Sequence, residues 1–111
     1  MTTSAPANAP ATSAVVFIEA SRAVVGRARG GDRVVIAIAR RQEVETAFLG
    51  RVAHEIETAD RIVVMGPSDE RLALEREYVL LTHRPDRLVH DETAVEMTRP
   101  EVLARLAELA A

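Results

Sequence analysis

The chain of 111 residues has no cysteine. That excludes disulfides, thiolate zinc sites, iron–sulfur clusters and thiol catalysis. Lysine is also missing: all 14 basic residues are arginine. There is no tryptophan, and one tyrosine and two phenylalanines leave almost no material for the aromatic platforms that stack single-stranded nucleic acid. Long apolar runs are lacking as well. Stretches such as Val34–Ala39 and Ile62–Met65 fall far short of the roughly 20 residues of a membrane span. What is present, 48% apolar and 28% charged residues, is the balance of a globular protein. The dense Leu, Ile and Val blocks exclude a disordered chain, and the length suits one domain.

An arginine-only basic set reflects GC-rich coding, and it also suits phosphate, because the planar guanidinium fork binds oxygens bidentately. The net charge of −3 does not mark the whole chain as a nucleic-acid binder. The two parts differ: residues 1–42 carry six arginines against Glu19 and Asp32, net +4, and residues 43–111 carry eight against fifteen acids, net −7. Such a dipolar layout can steer a partner.

Residues 1–14, MTTSAPANAPATSA, lack the apolar surface to offset their ordering entropy, and are expected to form a disordered tail ahead of a single domain over 15–111. The tail has neither a basic start nor an apolar core, so it is not a secretory signal; the cytoplasm is the expected compartment. Ala14–Ile18 reads as a well-buried strand. After the polar Glu19–Arg22 come Ala23-Val24-Val25, a Gly30-Gly31-Asp32 turn and a strand over Val34–Ile38, a hairpin-like opening. Residues 43–57 switch to helical spacing, with Val44, Phe48, Val52 and Ile56 on one face; Gly50 there predicts close packing. Arg61–Met65 is a short buried strand. Gly66-Pro67 ends it and opens a second helix that carries Leu72, Leu74, Tyr78, Val79 and Leu81 and stops before Arg84-Pro85. Arg87–His90 is a brief fourth strand. Thr98-Arg99-Pro100-Glu101 forms a capping box for a last helix burying Val102, Leu103, Leu106 and Leu109.

The expected fold class is therefore α/β: a small α/β/α sandwich in β-β-α-β-α-β-α order, its sheet mostly parallel with an antiparallel edge strand. So small a domain buries only about two-thirds of its unfolded surface, which makes a homodimer an expected partner state.

Catalytic chemistry finds little support. His54-Glu55-Ile56-Glu57-Thr58 starts like a zincin helix but has Thr58 where the second histidine belongs. His83 and His90 beside Asp86 and Asp91 read as solvated loop residues rather than a zinc site. No nucleophile elbow is present, and Gly66–Arg71 lacks the glycines and Lys-Ser/Thr of a phosphate loop. Asp69 and Glu70 fill the first turn of that helix and favour its dipole, so it reads as a self-capped start with Arg71 as the local counter-charge. No catalytic residue, metal ligand, cofactor or small-molecule substrate is assigned. Arg22, Arg27, Arg29, Arg33, Arg40 and Arg41, on the hairpin and its flanks, are better candidates, for contact with phosphate backbone. Arginines on an edge strand also guard against aggregation.

Three segments carry a resemblance. Val16-Phe17-Ile18-Glu19-Ala20-Ser21-Arg22-Ala23-Val24-Val25 resembles the opening strand of bacterial relatives of the archaeal and eukaryal peptide-chain release factor and Pelota. Val63-Val64-Met65-Gly66-Pro67 with Arg71 resembles the strand–Gly-Pro–helix element of that family's third domain, with arginine where lysine is usual. Glu92-Thr93-Ala94, Met97-Thr98, Val102 and Ala104 resemble its closing strand-to-helix signature. The resemblance spans about residues 15–109. Glu19 stands where the family has Asp, and Val95 and Glu96 where it has Asp and Lys. The Gly-Gly-Gln peptide-release loop is missing, so peptidyl-tRNA hydrolysis is not implied. The resemblance implies a stand-alone, third-domain-like module with a fold like that of RNA-binding ribosomal proteins. Its expected role is a non-enzymatic one with the translation machinery, through RNA or ribosome contact at Arg22, Arg27, Arg29, Arg33 and Arg71. The alternative is a protein-interaction or stress-associated module that dimerises without touching RNA.

Overall fold

A computed structural model describes residues 11–110. Within them run β1 (Thr12–Ile18), β2 (Arg22–Arg29), β3 (Asp32–Ala39), α1 (Glu45–Ile56), β4 (Arg61–Gly66), α2 (Glu70–Thr82), a 3-10 turn at Pro85–Arg87, β5 (Leu88–Thr93) and α3 (Arg99–Ala110). The sheet order is β3-β2-β1-β4-β5. The first two pairings from the β3 edge are antiparallel and the next two parallel.

The molecule is thus α/β with a mixed sheet, where a mostly parallel one was expected, and it has one strand more than the sequence reading counted. The difference lies at Glu19–Arg22. The Glu19 amide donates to the Arg22 carbonyl at 3.0 Å, and the Ser21 hydroxyl donates to the Glu19 carboxylate at 3.2 Å. This tight turn folds the chain back, so that Ile18 pairs with Ala23 and the 23–25 run becomes a full strand. Gly30 closes the second hairpin with φ of 59°, a value L-residues with a Cβ rarely adopt.

β1 is central and buried on both faces, and its alternation divides the core. Ala14, Val16 and Ile18 face a cluster with Phe48, Leu49 and Val52 of α1 and Leu74 and Tyr78 of α2. Val15 and Phe17 face Val102, Leu106 and Leu109 of α3. The crossovers β3–α1–β4 and β4–α2–β5 join parallel strands and step in the same direction across the sheet, so helices of one handedness fall on one face; α3 returns across the other. It lies directly on β2: a Cβ on Gly26 would sit 2.5 Å from Val102 Cγ1 and 2.8 Å from Leu106 Cδ1.

Several boundaries move. Of the tail expected over 1–14, residues 1–10 lie outside the described residues, whereas Thr12–Ala14 belong to β1. Thr12 is anchored by Asp60, whose carboxylate accepts the Thr12 amide at 2.9 Å and whose own amide donates to the Thr12 carbonyl at 2.8 Å. Val44 stands exposed at the N-cap of α1 instead of extending its buried face. A Cβ on Gly50 would meet nothing beyond its own helix within 4 Å among the described residues, so close packing is not its reason. Pro67 precedes α2 by three residues instead of opening it. Leu72 and Leu81 of α2 are exposed, while Leu74 and Tyr78 are buried. The helix ends where His83 adopts φ of 56° and its amide donates to the Val79 carbonyl. The last helix follows the sequence reading: the Thr98 amide donates to Glu101 Oε1 at 2.8 Å and the Glu101 amide to Thr98 Oγ1 at 3.3 Å.

Candidate nucleic-acid interface

The arginines singled out in the sequence are carried by three different parts of the fold. Arg27, Arg29 and Arg33 flank the β2–β3 turn and share one end of the sheet, where Arg29 pairs with Asp32 and Ala28 with Arg33. They point to both faces. Arg27 and Arg29 lie on the α1 side. Arg33 lies on the α3 side with its cross-strand partner Ala28, which packs among the α3-face residues.

Arg22 begins β2 at the opposite end, 3.5 Å from the Glu19 carboxylate and 5.6 Å above the Phe17 ring centroid. Arg40 and Arg41 follow β3 at that same far end. Arg71 also belongs to that far end, at the start of α2 beside Gly66. Its guanidinium bonds the Asp91 carboxylate of β5 and donates to the Ser68 carbonyl at 3.1 Å, which ties α2 to the neighbouring strand.

Ion pairing sorts the hairpin cations further. Arg27 is engaged: it lies 3.3 Å from the Glu55 carboxylate and donates to the Glu55 carbonyl at 3.3 Å. Arg29 and Arg33 are exposed and have no carboxylate within ion-pair distance among the described residues. A cation already neutralised by a carboxylate adds little to phosphate attraction, so Arg29 and Arg33 carry the free charge of the tip.

Arg61, at the start of β4, lies at the same sheet end and on the α3 side with Arg33, with β1 and β2 between them. It donates to the Leu109 carbonyl at 2.8 Å, a cation at a helix C-terminus. Its place at that end depends on the β1–β4 pairing of Ser13 with Arg61, a contact between segments far apart in sequence.

The other end of the sheet, beyond the carboxyl ends of β1 and β4, is closed rather than open to a ligand. A Cβ on Gly66 would collide with the Ile18 carbonyl oxygen. The start of α2 is not capped by its own acid, since Asp69 makes no capping bond; Ser68 bonds the Glu70 carboxylate instead. Behind Arg71, Glu75 shares a hydrogen bond with Asp91. Burial and that neighbouring carboxylate push its pKa up to about 7, against the pull of Arg71.

No family model and no curated protein matches the chain in sequence. Solved structures match in shape. The Pelota protein of Thermoplasma acidophilum superposes with a TM-score of 0.64 at 11% identity, over 89% of this chain and 33% of that one. The archaeal translation termination factor aRF1 gives 0.58 at 16%, over 89% and 34%. Dom34 of S. cerevisiae, described as a translation termination-like factor involved in RNA quality control, gives 0.59 at 10%, over 88% and 36%.

The fold is release-factor-like. This chain spans about a third of the length of those proteins, and at such identities the likeness is one of architecture.

Proposed function

We propose that this domain is a non-enzymatic binding module of the translation machinery, and that it contacts RNA or the ribosome through the tip of the β2–β3 hairpin. The observation that carries this reading is the exposed pair Arg29 and Arg33, without an ion-pair partner among the described residues, at one end of a sheet whose fold is shared with Pelota, Dom34 and aRF1. Fold alone does not assign function; the free cations supply the chemistry. Guanidinium groups at the end of a rigid sheet hold phosphate oxygens without reading sequence. Arg27, held by Glu55, braces that end. Arg22 and Arg71 lie at the opposite end of the sheet and act in this reading as structural cations. No described helix is long and apolar enough to cross a membrane.

The test is co-sedimentation with ribosomes across a salt series. Wild-type association should fall steeply as salt rises, through counterion release. Arg29→Glu with Arg33→Glu should abolish it at low salt and shift stability by no more than about 0.5 kcal/mol per site. Arg27 is left intact, because reversing it would set two acids against each other at Glu55. Association that survives the double reversal, or ignores salt, refutes the RNA reading in favour of a protein-interaction module.

A further inference from the structure

The two edges of the sheet are built differently. β5 is short, carries His90, Asp91 and Glu92, and has a register irregularity opposite Ile62/Val63. Arg71 and Arg105 lie over it in ion pairs with Asp91 and Glu92. Charges and irregularities of this kind keep an edge from pairing.

β3 is plainer. From Val34 to Ala39 it reads VVIAIA, without charge, proline or bulge, and Arg51 of α1 touches only its end, donating to the Ala39 carbonyl at 2.7 Å. The helix layers cover it in part: Ile38 is buried against α1, while Val35 and Ile36 are half-buried. On the α1 side a groove of about 570 Å3 runs between Ile38 and Ala47, Gly50 and His54. On the α3 side one of about 290 Å3 separates Val35 and Ala37 from Met97. The pairing of Arg29 with Asp32 across a two-residue turn and the bond from the Arg40 amide to the Ser21 carbonyl set the even-numbered residues toward β2. The backbone groups of Arg33, Val35, Ala37 and Ala39 therefore point outward.

We infer that β3 is a dimerisation edge, and that it pairs antiparallel with β3 of a second copy about a two-fold axis through Ile36, joining the two sheets into one. Charge selects both partner and register. Centred on Ile36, Asp32 of each copy stands opposite Arg40 of the other, and Arg33 opposite Ala39. Val34 faces Ile38, Val35 faces Ala37, and Ile36 meets its own counterpart. Every outward amide and carbonyl from Arg33 to Ala39 finds a partner, the Ala39 carbonyl using its second lone pair beside the bond it accepts from Arg51 at 2.7 Å, and no like charges stand directly opposite. Two-fold symmetry permits only registers that keep a residue on its own face of the sheet. The neighbouring ones fail: centring on Val35 sets Asp32 against Ile38 and leaves it without a cation, and centring on Ala37 sets Arg33 against Arg41. The inference does not rest on ribosome contact, and the two have separate readouts.

The absence of cysteine makes the register directly testable. In a non-hydrogen-bonded antiparallel pair the Cα atoms lie about 4.5 Å apart, within disulfide range. Ile36→Cys should therefore oxidise to a covalent dimer. Val34→Cys should not, because four residues of strand, about 13 Å, separate it from its counterpart. Sedimentation equilibrium should show the wild type as a dimer. Ala37→Pro removes an outward amide without touching the β2 ladder, and should be monomeric with an unchanged circular dichroism spectrum. A wild type that stays monomeric up to roughly millimolar concentration, a folded Ala37→Pro that still dimerises, or cross-linking of Val34→Cys as efficient as that of Ile36→Cys would each overturn the inference. If Ala37→Pro fails to fold, the cysteine pair still decides it.

Discussion

Tyr78 is fully buried, and its hydroxyl has no hydrogen-bond partner among the described residues. A buried polar group left unpaired costs about 1–3 kcal/mol, so Tyr78→Phe should leave thermal stability unchanged or raise it; a marked fall in Tm would reveal a partner for that oxygen. Gly66→Ala should be severe, because the new methyl meets the Ile18 carbonyl and backbone cannot swing aside as a side chain can. The capping box gives a third expectation. Thr98→Ala should cost ~1 kcal/mol in denaturant titration and Glu101→Ala less, with the double variant sub-additive because the two side chains serve one box. The Thr98 amide holds the Glu101 carboxyl below the usual range, so its benefit is present at neutral pH and fades as pH falls through that lowered value. The box was legible in sequence because it closes within four residues. The Gly66 contact was not, since it depends on where the end of β1 lies.

Between elements, the closest approach is that of α3 on β2. Gly26→Ala should destabilise the domain by about 1–3 kcal/mol through overpacking against Val102 and Leu106, and a milder cost would show that α3 can slide. The α2–β5 contact is pH-sensitive. Glu75 has a folded pKa of about 7 against an ordinary value of 4.5. The folded state therefore binds more protons than the unfolded state between those values, and its contribution to stability is lost as pH rises through that window. Glu75→Gln should flatten the stability–pH slope between pH 4.5 and 7; an unchanged slope would place the titration elsewhere. Helices and strands with strong apolar periodicity were legible. The Glu19–Arg22 turn was not, because a polar interruption of four residues reads equally as a pause in a strand or as a reversal of the chain. The Glu75–Asp91 pairing was hidden for another reason: it joins residues sixteen apart that only the β4–β5 crossover brings together.

For the molecule as a whole, sequence showed that arginines concentrate in the first part of the chain but not how the sheet would distribute them. The six that read as one group between Arg22 and Arg41 divide between two ends and two faces of the sheet, because β2 and β3 each run its full height. The tip pair Arg29 and Arg33 stays together through a two-residue turn that sequence did reveal. Arg61 joins them through topology alone.

The central position of β1 has a consequence for how the chain reaches this state. β1, β2 and β3 are successive hairpins whose contacts are local and quick to form. The other edge of β1 must wait for β4, whose partner Arg61 lies 48 residues after Ser13. During synthesis the meander therefore exists for a time with its most apolar strand open on one side, the kind of species in which unpaired strands misassociate. Closing that seam is the late, rate-setting step expected of this topology, and mutations in β4 should slow folding more than mutations of equal cost in the β2–β3 hairpin.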